Sequence, residues 1–338
     1  MIKKVLKNLE DTKNFAKEIE KNVFGFSNIL IFGEVGAGKT TFTKFFLENI
    51  GVEKKIKSPS YALENFYELK NSEKFKKIWH YDIYRLENQN LESLEENFES
   101  DDFVIVEWAE KLNFKPKSGI ELHFQKKSEN ERFVEIKFFG TNFSENEIKK
   151  IFEKFKTPIG IQEHTAQVAN TAVQIAEKFL KNGKIVDKGL IYTSARLHDI
   201  LKYIDFVDKM KEKDGYYFDI FGLKFSAETV NLWKKMKEQF SGLSHEKAGG
   251  KLFYEMGYKE IGKVISSHGF NSKGFSTIEE KIVYFADATT MHNKRVSVKE
   301  RVKDVKKRYG DGSKKSEKVY EKMLKYNLKI EKELEKFE

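Results

Sequence analysis

Cysteine is absent from all 338 residues. That excludes a disulfide framework, zinc held by thiolates and catalysis by a thiol, so any transition metal must be held by histidine and carboxylate side chains. No run of 18 apolar residues occurs, and Met1 to Glu10 is a charged amphipathic stretch without the apolar block of a secretory signal. The expectation is a soluble, cytoplasmic protein with no membrane partner. Internal repeats and low-complexity tracts are missing too. What the chain does have is length for two globular domains and 14% aromatic residues to fill a core in each. Its net charge of +9 invites a nucleic-acid reading, because clustered Lys and Arg neutralise phosphates. The lysines, however, are spread through nearly every helical stretch with glutamates between them. The densest basic stretch, Lys299 to Lys315, reads equally well as the solvated face of terminal helices.

The two halves differ in hydrophobic pattern. In the first, Asn28 to Phe32, Lys77 to Tyr81 and Phe103 to Val106 are strand-like, and Thr41 to Ile50 places Phe42, Phe45, Phe46 and Ile50 at helical spacing. Gly119 to Phe124 and Arg132 to Phe139, separated by polar residues, read as a hairpin closing this α/β domain. From Ser144 onward the pattern is one of amphipathic helices, with a charged connection stopped by Thr157, Pro158 and Gly160. The division expected is a domain at 1–142, a connecting helix at 143–157, a helical domain at 158–310 and a charged helix at 311–338.

Gly33-Glu34-Val35-Gly36-Ala37-Gly38-Lys39-Thr40 fits the P-loop pattern directly after an apolar strand and before a helix, and these residues with Thr41 are the candidate nucleotide-binding set. Its glycines let backbone N–H groups and the helix N-terminus face the phosphates of ATP; Lys39 adds a point charge, and Thr40 offers its hydroxyl to Mg²⁺. Glu107 ends an apolar strand, where an acid holds Mg²⁺ directly or through water. Asp82 ends the neighbouring run. Two carboxylates converging on one Mg-nucleotide suit one metal-holding and one water-orienting role; the preferred assignment is Glu107 for the metal and Asp82 for catalysis.

Together with Ser58-Pro59-Ser60-Tyr61, the run His80-Tyr81-Asp82-Ile83-Tyr84-Arg85-Leu86 and Val106-Glu107-Trp108, in this order, the loop resembles the TsaE (YjeE) family over roughly residues 1 to 142. The resemblance implies an α/β P-loop NTPase fold and a slow ATPase of tRNA threonylcarbamoyladenosine synthesis, dependent on TsaD and TsaB partners and only indirectly on tRNA. It also implies a switch-like contact through Ser60. The family's Gly-Leu-Glu-Glu stretch is here Ser93-Leu94-Glu95-Glu96, which puts the local turn in doubt. Trp108 reads equally as packing and as a contact to nucleotide or partner.

In the second half, His164, His198, His245 and His268 fall on separate predicted helices, His198 is followed by Asp199, and Asp287 comes later. Four imidazoles and two carboxylates gathered from several helices would make a mono- or dinuclear site that activates water. In order and kind these residues resemble the HD-domain phosphohydrolases, with the YqeK-like branch nearest. That implies an all-α HD-type domain with one or two divalent ions (Mn, Fe, Co or Mg): His164, His198, Asp199 and Asp287 on one, His245 and His268 on a second, and Asp199 bridging. Lys202 and Arg295 are candidate phosphate contacts, Lys202 within the catalytic set. His292 reads as surface. The aromatic segment Tyr203 to Leu243, which includes Phe221, is either a wall of the substrate pocket or a satellite hydrophobic cluster. The chain is therefore expected to be bifunctional, an ATPase joined to a phosphohydrolase for a nucleotide or dinucleotide. The alternative is that the second half is a nucleotide-sensing module that regulates the ATPase without hydrolysis.

Overall fold

The computed structural model describes residues 2–53, 63–85, 91–219, 222–269 and 274–336. Leu86, the segment Ser58 to Tyr61 and Phe221 lie outside the described residues. Two compact units emerge. One runs up to Thr141 and takes in Ile185–Asp187 and Ser276–Ile278; the other holds the rest.

The first unit contains β1 (Ile2–Leu6), α1 (Leu9–Glu20), β2 (Asn28–Phe32), α2 (Lys39–Asn49), β3 (Glu64–Glu68), β4 (Lys77–Asp82), α3 (Glu92–Glu99), β5 (Phe103–Glu107), β6 (Gly119–Lys126) and β7 (Arg132–Phe139). They form one sheet in the order β1-β7-β6-β2-β5-β4-β3. β6, β2, β5 and β4 run parallel, and antiparallel strands close both sides. Central parallel strands are covered on both faces, so they read as unbroken apolar runs. Ile29 and Ile31 of β2 face one cluster with Phe15, Phe42 and Phe46; Leu30 faces the other with Val104 and Val106. Phe46, fully buried, stacks on Phe103 at 5.4 Å and meets Phe75 edge-on at 6.1 Å. Its replacement by alanine is expected to lower the stability of this unit by about 3–5 kcal/mol. Urea unfolding followed by Trp fluorescence measures this, and a loss below about 1 kcal/mol would contradict the packing described.

Three features depart from expectation. β1, α1, β3 and α3 are additional elements. The hairpin β6–β7 forms as read and comes last in the first unit's strand sequence, but it sits inside the sheet, with β6 a parallel neighbour of β2 and β1 on the outer side of β7. Ser93 to Glu96 lies inside α3, where no turn and no glycine are required.

The second unit is rich in helices: α4 (Glu145–Lys154), α5 (Ile159–Lys181), α6 (Lys188–Leu197), α7 (Ala227–Gln239), α8 (His245–Glu255), α9 (Lys259–Ser266), α10 (Ile278–Ala288), α11 (Val298–Tyr309) and α12 (Lys314–Glu335). α8 and α9 cross at two glycines. A Cβ on Gly250 would lie 2.6 Å from the Gly262 carbonyl oxygen, and one on Gly262 2.5 Å from that of Gly250, so only glycine permits the approach. Small antiparallel ladders interrupt the helical frame. β8 (Lys211–Lys213), β9 (Tyr216–Phe218) and β10 (Lys224–Ser226) form a meander, and β11 (Thr290–Met291) pairs with β12 (Lys294–Arg295). The meander's Phe225 packs with Tyr203, Val230 and Trp233. Among the described residues no helix is long and apolar enough to cross a membrane.

Candidate functional site

The phosphate loop leaves β2 at its C-terminal end and enters α2, and β4 and β5 end beside it, so Asp82 and Glu107 are opposite each other in register. Such a crevice beyond the carboxyl ends of parallel strands is where open α/β sheets bind ligands. Gly33 is required by space, since a Cβ there would meet the Phe124 carbonyl oxygen at 2.4 Å, and its φ of +137° suits glycine. Lys39 is buried; its ammonium donates to the carbonyls of Gly33 and of Glu34, the latter at 3.0 Å. It also lies 3.3 Å from the centre of the Trp108 ring. Burial lowers the Lys39 pKa, and the charges of Glu110, Glu107, Asp82 and Glu34 oppose that shift.

Thr40 Oγ1 donates to Glu107 Oε2 at 2.6 Å, which brings two hard oxygen donors suited to Mg²⁺ together. Asp82 Oδ1 accepts the Tyr84 N–H at 3.2 Å. A cavity of about 320 Å³ is lined by Val35 to Thr41, Asp82, Tyr84, Trp108 and Arg132. Gly33 and Glu34 thus act on this space through Lys39, and Glu107 through Thr40. Trp108 takes a left-handed backbone, φ 64°, a conformation that costs free energy and concentrates at functional sites. Its ring packs on Tyr84 at 4.6 Å and on the Lys39 ammonium, and it lines the cavity beside the loop.

In the second unit the structure brings all six histidine and aspartate candidates together. The histidines do not all sit within helices, as the pattern had suggested. His198 and His268 lie just beyond the ends of α6 and α9, because each donates its Nδ1–H back to a carbonyl three residues earlier, Ala195 at 2.8 Å and Ile265 at 2.6 Å. His164, on α5, donates Nδ1–H to the His292 carbonyl at 2.9 Å, and His245, the first residue of α8, to Asp205 Oδ2 at 2.5 Å. Four protons are thereby fixed on Nδ1. Nε2 is therefore the nitrogen that each ring offers to a metal: at His198 it is unpaired among the described residues, and at His164 and His245 it carries a proton toward Asp287 and Asp199 that metal binding would release.

The four Nε2 atoms converge on the carboxylates. Asp287 Oδ1 lies 3.1 Å from His164 Nε2 and 3.7 Å from His198 Nε2. Asp199 Oδ2 lies 3.7 Å from His198 Nε2, while its Oδ1 lies 3.0 Å from His245 Nε2 and 3.5 Å from His268 Nε2. Asp199 thus faces both pairs with different oxygens. Buried His198 Nε2 has no hydrogen-bond partner among the described residues, which fits a metal ligand better than a packed histidine. Burial drives the His198 imidazole down to about 4, so it stays neutral. At His164 burial also pulls downward, but the hydrogen bond and charge of Asp287 outweigh it and raise the pKa. Against desolvation, Asp199, buried, and Asp287, half-buried, are both held well below the ordinary carboxylate range by the imidazoles and the neighbouring cations. The cluster therefore favours positive charge.

A cavity of about 610 Å³ opens from His164 and Asp199 and is also lined by Lys202, Tyr203, Asp219, Arg301 and Arg308. Lys202 Nζ lies 3.4 Å from Asp199 Oδ1 and 3.0 Å from His245 Nε2. Arg295 is exposed on β12 and is not among the cavity's lining residues; Arg301 and Arg308, in the stretch read as solvated, are. From the aromatic insertion Tyr203 and Phe206 line this cavity, and Tyr203 also stacks on Trp233 at 4.5 Å. His292 has an exposed side chain, its carbonyl accepts from His164, and the residue is among those lining the cavity. Sequence reasoning missed Asp205, Arg132 and the orienting carbonyls. Arg132 donates to the Gly36 carbonyl at 3.2 Å and to those of Ser128 and Glu129 at 3.0 Å each.

Known proteins match both halves. The family model described as Threonylcarbamoyl adenosine biosynthesis protein TsaE matches residues 6–134, and that described as HD domain matches 161–292. The tRNA threonylcarbamoyladenosine biosynthesis protein TsaE of Bacillus subtilis is 28% identical over 40% of this chain and 85% of its own length. Those of Nostoc sp. and Aquifex aeolicus are 32% and 33% identical over 43% and 39% of this chain, and 91% and 92% of theirs. The crystal structure of Bacillus subtilus YdiB is similar over 39% of this chain and 82% of that one, at 27% identity and a TM-score of 0.32. Through its N-terminal part the chain belongs to the TsaE family, and it carries an HD domain behind that part.

Proposed function

We propose that the chain joins an ATPase serving threonylcarbamoyladenosine modification of tRNA to a metal-dependent phosphohydrolase acting on a nucleotide or dinucleotide. In the first half Lys39 and the loop N–H groups hold the phosphates of ATP, Thr40 and Glu107 hold Mg²⁺, and Asp82 orients the attacking water. TsaD- and TsaB-like proteins are the partners, with tRNA reached through them. In the second half His164, His198, Asp199 and Asp287 hold one divalent ion and His245, His268 and Asp199 a second. The observation that supports this reading is the set of four Nε2 atoms, each ring oriented by an Nδ1 hydrogen bond, turned toward two ionised carboxylates.

A divalent ion there, Mn, Fe, Co or Mg, supplies Lewis acidity toward a phosphoryl oxygen and lowers the pKa of water. The chain's own side chains do the rest: Lys202 neutralises the phosphate beside Asp199, and Tyr203 and Phe206 wall the organic part of the substrate. Asp205 sets the His245 tautomer, so Asp205→Ala is expected to weaken metal retention by roughly 10- to 100-fold. Competition with a fluorescent chelator measures this; unchanged retention would contradict the role of Asp205. The function as a whole is tested by ATP turnover of the full chain with and without the two partner proteins, alongside nucleotide screening with Mn²⁺. Partner-dependent stimulation together with a hydrolysed nucleotide is the expected result. Stimulation by bare RNA alone would contradict the first half. Absence of product, with ATPase altered by His198→Ala, would make the second half a sensor instead.

A further inference from the structure

Glu107 is fixed from two sides. Its Oε2 accepts the Thr40 hydroxyl at 2.6 Å, and its Oε1 lies 2.9 Å from His80 Nε2, with both His80 and Glu107 at 0% exposure. An ionised carboxylate can only accept, so the ring nitrogen donates and His80 carries its proton on Nε2. Nδ1 is then a bare acceptor, buried and without a partner among the described residues. An apolar ring would fill the same space without that unpaired lone pair, so packing gives no reason for histidine here. What His80 adds is the N–H to Glu107. Its place on β4 follows from strand periodicity: His80 and Asp82 are two residues apart and so share a face, and Asp82 pairs with Glu107 in register.

We propose that His80 is a positioning residue for the Mg²⁺ of the bound nucleotide, holding Oε1 of Glu107 so that the carboxylate stays turned toward Thr40. This rests on the reading of the loop as an ATP site. The effect is that of an outer partner which orients a ligating group.

The test is binding of a fluorescent ATP analogue to the full chain, in EDTA and across a Mg²⁺ series, with Lys39→Ala defining the signal that does not come from the loop. For His80→Phe, binding in EDTA is expected to match wild type, while the half-saturating Mg²⁺ concentration rises roughly 10- to 100-fold. His80→Gln, whose amide N–H reaches close to the position of Nε2, is expected to restore a near-wild-type Mg²⁺ dependence. Thermal melting of each variant separates this from loss of fold. An unshifted Mg²⁺ dependence in His80→Phe, or equal impairment in His80→Gln, would overturn the proposal alone. A wild type that binds no nucleotide would overturn the ATP-site reading as well.

Discussion

Asp199→Ala is expected to lower hydrolysis by the HD half by at least ~10³-fold, a loss of about 4 kcal/mol of transition-state stabilisation, and to strip its bound metal. Among the described residues no other carboxylate faces both groups of imidazoles: Oδ2 lies 3.7 Å from His198 Nε2, and Oδ1 lies 3.0 Å from His245 Nε2 and 3.5 Å from His268 Nε2. Its removal also takes from half-buried Lys202 the carboxylate whose charge most raises its pKa. Both the cation site and the neighbouring ammonium are therefore disturbed by one substitution. Metal analysis of the purified variant and a chromatographic assay of nucleotide products measure the two effects. Wild-type metal content in the variant would contradict the bridging role.

Lys39→Ala is expected to weaken ATP binding by roughly 10²-fold, on the order of 3 kcal/mol, the upper range for a hydrogen bond from a charged donor. The ammonium is 3.0 Å from the Glu34 carbonyl and 3.3 Å from the Trp108 ring centre, so its position is set before any phosphate arrives. A preset charge loses little freedom when it binds, and its loss should appear as affinity. Thermal stabilisation by ATP should fall accordingly, since a ligand stabilises by its affinity for the folded state. If Lys39→Ala retained the full shift, the loop would not be the principal ATP site.

How much could be read from the sequence depended on whether the signal was local. The phosphate loop is contiguous and flanked by its strand and helix, so Gly33 to Thr41 could be placed at once. β2 and β5 are unbroken apolar runs because both faces are covered, whereas β1 shows only Leu6 buried and is held by pairing with β7 more than 120 residues away. β3, with only Tyr67 buried, gave equally little. The six metal-site candidates stood out by residue type and order, but their orientation depends on carbonyls of Ala195, Ile265 and His292, which no residue type announces. Asp205 was one acid among many until His245 was placed against it. His80 alone left a usable trace, a histidine inside an apolar strand two positions before Asp82.

Two separate phosphate-handling sites in one chain are what we propose. The most direct test is a side-by-side assay of wild type, Lys39→Ala and Asp199→Ala against ATP and a panel of nucleotides and dinucleotides with Mn²⁺, with every product identified. The predicted result is a crossed loss: partner-stimulated ATP turnover disappears only in Lys39→Ala, and a second hydrolytic activity disappears only in Asp199→Ala. A second activity that survives Asp199→Ala, or that falls with Lys39→Ala, would contradict it.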